Sequence, residues 1–89
     1  MGNSQGVEVR FTKHAREKFE LLKRYGFTLR EEDVVKTVLN PERLERRGTL
    51  RFAMRPIDPK HAVRVVYEER KGYLLVITFY PVRRKSHGL

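Results

Sequence analysis

The apolar residues of this chain recur with a helical period between about residues 12 and 42 and with a period of two beyond it, and that change restricts the fold more than any single motif. Two short amphipathic helices and a run of hairpins can bury their apolar sides only against one another. Thr12 is placed to cap a first helix running to about Tyr25, with Ala15, Phe19 and Leu22 on one face, Leu21 and Tyr25 beside them, and Gly26 as a left-handed stop. Thr28-Leu29-Arg30-Glu31 reads as a capping box for a second helix, whose buried stripe is Val34, Val35, Val38 and Leu39 and which Pro41 ends. Ahead of both, Val7 to Phe11 alternates apolar and charged residues and predicts a short edge strand.

After residue 43, Arg43 to Arg47 leads through a Gly48-Thr49 turn into an extended run from Leu50 to Arg55, which Pro56 and Asp58-Pro59 close. His61 to Glu69 and Tyr73 to Tyr80 are the richest in Val, Ile, Tyr and Phe, and the polar turn Arg70-Lys71-Gly72 joins them as a central hairpin. The expected class is therefore α+β: two N-terminal helices packed on a curved antiparallel sheet of about four strands. It forms one domain over residues 7–85, between a flexible N-terminus, 1–6, and a flexible C-terminus, 86–89. Alternation then assigns Leu50, Phe52, Met54, Val63, Val65, Tyr67, Leu75, Ile77 and Phe79 to the face under the helices. Arg51, Arg55, Arg64, Glu68, Thr78 and Tyr80, with Ala53, Ala62, Val66 and Val76, fall on the face left open.

Charge says what such a face suits. The 89 residues carry 20 Lys and Arg against 11 Asp and Glu, a formal charge of +9, which favours a polyanionic partner. Cysteine is absent, so thiolate metal sites, disulfides and thiol nucleophiles are excluded, and three scattered histidines make a poor metal kit; no metal and no cofactor are expected. No stretch approaches the ~20 apolar residues of a membrane span, and Met1 to Gly6 lacks the apolar core of a secretion signal, so the expected location is cytoplasmic, with no membrane partner. Arg51, Arg55, Arg64 and Tyr80 on the open face, continued by Arg83, Arg84 and Lys85, are the candidate contacts to RNA: guanidinium forks meet phosphate oxygens, and a tyrosine ring supports an unstacked base. Cleavage of RNA needs in addition a group that titrates near neutrality, and His14, in the first turn of a helix, is the candidate.

Phe11-Thr12-Lys13-His14-Ala15, the second helix from Asp33 to Pro41, Arg64-Val65-Val66-Tyr67 and Ile77-Thr78-Phe79-Tyr80-Pro81, taken in order, resemble a small prokaryotic domain family related to the RelE, ParE and BrnT toxin superfamily. That superfamily's fold is similar to the small RNases of the barnase and colicin type. The resemblance covers residues 7 to 85 and implies catalytic positions at His14, Arg64, Thr78, Tyr80 and Arg83. It also implies a metal-independent endoribonuclease with RNA as substrate and an acidic antitoxin as partner. The alternative is a non-catalytic module that binds RNA, or one that docks on a protein target as gyrase-inhibiting relatives do, since fold does not decide function.

Overall fold

A computed structural model describes residues 7–89; the flexible N-terminus expected over 1–6 lies outside them. In chain order the elements are β1 (Val9–Phe11), α1 (Lys13–Arg24), α2 (Glu31–Leu39), β2 (Arg43–Arg47), β3 (Leu50–Pro56), β4 (His61–Arg70) and β5 (Tyr73–Arg83), followed by a 3-10 turn at Lys85–His87. The class is α+β, but the sheet has five strands, in the order β1-β5-β4-β3-β2. It is also mixed rather than antiparallel, because β1 runs parallel to β5 in the register Val9 to Leu74 and Phe11 to Val76. A parallel neighbour needs a long crossover, and here everything between the two strands serves as one.

Both ends of α1 are built as the residues require. Thr12 Oγ1 accepts the Ala15 N–H at 3.0 Å and donates its own proton to the Ile77 carbonyl at 3.0 Å, so the cap also fastens the helix to β5. At the other end the Phe27 N–H reaches the Leu22 carbonyl and the Gly26 N–H the Lys23 carbonyl. This Schellman closure needs a left-handed residue, and Gly26 supplies it at φ 89°. Ala15 and Leu22 are buried, whereas Leu21 and Tyr25, expected beside them, are exposed.

The second helix starts differently from the expected capping box. Its N-cap is Arg30, not Thr28, and the Asp33 carboxylate accepts the Arg30 N–H at 2.9 Å. Glu31, Glu32 and Asp33 in the first turn suit the positive end of the helix dipole. Val34 and Val38 are buried as expected, but Thr37 replaces Leu39 in the stripe, its hydroxyl satisfied by the Asp33 carbonyl at 2.8 Å.

Both helices cover one face of the sheet. Ala15, Leu22, Val34 and Val38 close on Ala53, Val63, Val65, Tyr67, Val76 and Phe79. Phe19 stacks at 4.7 Å on the fully buried Phe79 and Phe11 at 5.8 Å on Phe19. Strand β2, not counted among the expected strands, is a charged and largely exposed edge, and such charges are how sheet edges avoid pairing with other chains. The C-terminal residues are hydrogen-bonded to the rest of the fold. Arg84 N–H donates to the Lys60 carbonyl at 2.9 Å, Leu89 N–H to the Arg84 carbonyl at 3.0 Å, and the Arg43 guanidinium to the His87 carbonyl. Among the described residues no helix is long and apolar enough to cross a membrane.

Candidate nucleic-acid interface

Strand register decides which side chains share the open face. One cross-strand row runs Arg43, Met54, Arg64, Tyr80, and the next runs Glu45, Phe52, Val66, Thr78. Arg64, Thr78 and Tyr80 therefore lie together, Tyr80 directly opposite Arg64 and Thr78 on the diagonal. The Arg64 guanidinium sits 4.7 Å over the Phe52 ring and 3.5 Å from a Glu45 oxygen, with its side chain only 16% exposed. Its buried Nε finds no hydrogen-bond partner among the described residues. Stacking on the ring holds the guanidinium plane in place, and the one long ion pair leaves most of its five donors unspent.

The same face repeats this motif. Arg47 lies 5.6 Å from Phe52, and Arg10, opposite Leu75 on β5, lies 4.1 Å over Tyr73. The acids among them are already engaged: Glu8 with Arg10 at 2.7 Å and Glu68 with Arg70 at 2.7 Å. The hydrogen bond from Arg10 holds the Glu8 carboxyl below its ordinary range, against the effect of burial.

Six residues expected at this site lie elsewhere. Arg51 and Arg55 point to the helix side, because β3 pairs Arg51 with Tyr67 and Arg55 with Val63. Arg51 is tied to Glu69 at 2.8 Å and Arg55 to the Asn40 carbonyl at 2.7 Å, so both are committed within the fold. The phase of β3 is inverted from the expected one: small Ala53, fully buried, sits beneath the helices, while Leu50, Phe52 and Met54 fall on the other face, where Leu50 and Phe52 are half-buried and Met54 is fully buried in the row with Arg64 and Tyr80. The helices lie over β1, β5, β4 and β3, and an alanine on β3 lets α2 approach closely. His14 is exposed on α1, in the helix layer, with the sheet between it and Arg64. Arg83 is exposed opposite His61, again on the helix side by register. Arg84 donates to the Asp58 and Leu89 carbonyls at 3.1 and 3.3 Å. Lys85, in the 3-10 turn beyond β5, is exposed.

A second phase change lies in β5. Val66 pairs with Thr78 but Tyr67 with Val76, so Ile77 is the extra residue of a bulge. The step carries Val76 inward and Leu75 outward, the reverse of the expected alternation, while leaving Thr78 and Tyr80 where they were expected. Phe52, Arg10, Arg47 and Tyr73 are the contributors that alternation missed. Arg10 alone carried a local signal, standing between apolar Val9 and Phe11. No protein-family model, curated protein or solved structure matches the chain.

Proposed function

We propose that the open sheet face binds single-stranded RNA, with Arg64 meeting phosphate and the rings of Phe52, Tyr80 and Tyr73 supporting bases. The observation that carries this is Arg64 itself: a guanidinium lying over an aromatic ring, beside a second ring, whose one carboxylate contact among the described residues is the 3.5 Å approach of Glu45. Bases stack on such rings whatever their identity, and a chain of formal charge +9 draws in polyanions from a distance. The test is fluorescence anisotropy of a labelled unstructured RNA titrated with protein at increasing salt. Affinity is expected to fall with a log–log slope of about −0.7 for each phosphate contact. Arg64→Ala is expected to weaken binding about tenfold, as loss of a charged hydrogen bond does, and to make the slope shallower. A salt-independent titration, or unchanged binding by Arg64→Ala, overturns the proposal.

A second reading is the RelE/BrnT-like endoribonuclease, cytoplasmic and held in check by an acidic antitoxin on this same face. Favouring it is the grouping of Arg64, Thr78 and Tyr80 in two adjacent cross-strand rows. On this reading the proton transfers fall to a group other than His14, which stands in the helix layer. Cleavage would then survive EDTA and His14→Ala, and Arg64→Ala would lower the cleavage rate more than affinity, because the phosphate gains charge in the transition state. Intact RNA after incubation with wild type removes this reading and leaves the binding one.

A further inference from the structure

At the end of the sheet where β3 turns into β4 and β5 runs out, cations gather without a side-chain acid paired to them. Lys60, Arg83 and Lys85, all exposed, line a hollow of about 520 Å³ together with Arg84 and Ser86. None of the four cations forms an ion pair with a side-chain carboxylate among the described residues. The nearest acid in sequence, Asp58, is already used. Its Oδ1 accepts the Lys60 and His61 N–H groups at 2.8 and 2.6 Å, and both its oxygens lie 3.1 Å from His61 Nδ1. Arg84 is a strut: its backbone N–H holds the Lys60 carbonyl and its guanidinium the Asp58 and Leu89 carbonyls, which fixes the C-terminal turn as one wall. The three remaining cations are thus held near one another around a concavity, where like charges repel and an anion relieves the repulsion.

We propose that this hollow takes a terminal phosphate monoester of an RNA strand, an inference that rests on the RNA-binding reading of the open face and names where a strand ends. A monoester carries about −1.5 to −2 charges near pH 7 and three acceptor oxygens, whereas a phosphodiester within the strand carries one charge. A hollow walled by the C-terminal turn suits a chain end, and a strand passing through needs an open track. The experiment compares three RNA oligomers of one sequence, bearing a 5′-phosphate, a 3′-phosphate or hydroxyls at both ends, by anisotropy at fixed salt.

One of the phosphorylated oligomers is expected to bind about tenfold tighter than the hydroxyl-ended one, a step of the size a charged hydrogen-bonding group confers. The double variant Lys60→Ala with Lys85→Ala should erase that difference, while Arg64→Ala weakens all three oligomers alike. A free nucleoside monophosphate should reduce the advantage of the end-phosphorylated RNA without displacing the hydroxyl-ended one. Equal binding of the three oligomers by wild type, in a titration that Arg64→Ala still weakens, overturns the terminal-phosphate site and leaves the RNA reading standing. Weak binding of all three that Arg64→Ala does not change overturns the RNA reading and this proposal with it.

Discussion

The two faces of the sheet draw on the same residue types and resolve them in opposite ways. Under the helices every large ring has an apolar neighbour, as Phe79 has Phe19, and the arginines at the margin are spent on Glu69 and on a helix-end carbonyl. On the open side the rings of Phe52 and Tyr73 have guanidinium groups over them instead. Each arginine shields apolar surface from water through its stem and plane; Arg10 is also paired with Glu8 at 2.7 Å, whereas Arg64 has only the longer 3.5 Å contact with Glu45. The covered face is closed by packing, and the open face is covered by groups that can exchange water for phosphate without leaving the ring.

The largest effect that can break this contrast comes from paired ring deletions. Phe79→Ala should cost about 3–5 kcal/mol of unfolding free energy in urea titration, since it empties the middle of the core. Phe52→Ala should cost much less stability but weaken RNA binding by ~1–3 kcal/mol, the value of one base stacked on one ring. Equal destabilisation by the two would mean that the open face is a second core and not a platform.

A smaller effect tests how the helix layer is fastened. Thr12→Ala removes a cap and the hydroxyl that reaches the Ile77 carbonyl, and should lower unfolding free energy by about 1 kcal/mol, with Thr12→Ser largely restoring it. Failure of serine to restore stability would show that the methyl group, not the hydroxyl, is what matters there.

The smallest is a titration that distinguishes the faces by burial. Tyr67, beneath the helices, has its hydroxyl pushed above the ordinary range, chiefly by burial, with Arg51 opposing. A raised acid keeps its proton longer in the folded state, so the Tyr67 contribution is fully present below the unfolded value of ~10 and is lost as pH rises through the folded one. Ultraviolet absorbance should show a late-titrating tyrosine that Tyr67→Phe removes, and the variant should lose less stability than wild type above about pH 10.

What could be read from the sequence was whatever neighbours in the chain decide. Thr12, Gly26 and Pro41 bound their helices through contacts a few residues away, and the β4–β5 hairpin announces itself through its turn. Arg64 was placed correctly because β4 sets it between Val63 and Val65, two residues that must go inward. Arg51 and Arg55 were misplaced because in β3 both alternations look plausible, Leu50-Phe52-Met54 on one side and Ala53 on the other, and only the helices overhead choose between them. The Ile77 bulge, the parallel pairing of β1 and the edge role of β2 likewise depend on partners far along the chain.

The parallel seat of β1 also sets an order of events. Val9 pairs with Leu74, and the hydroxyl that caps α1 is held by a carbonyl 65 residues further on. Until Tyr73 to Phe79 has left the ribosome, the first strand has no sheet to join and the first helix no Phe79 to cover. The meander from β2 to β5 can form from hairpins alone, so β1 waits for β5, and a strand made late is the one that admits a strand made early.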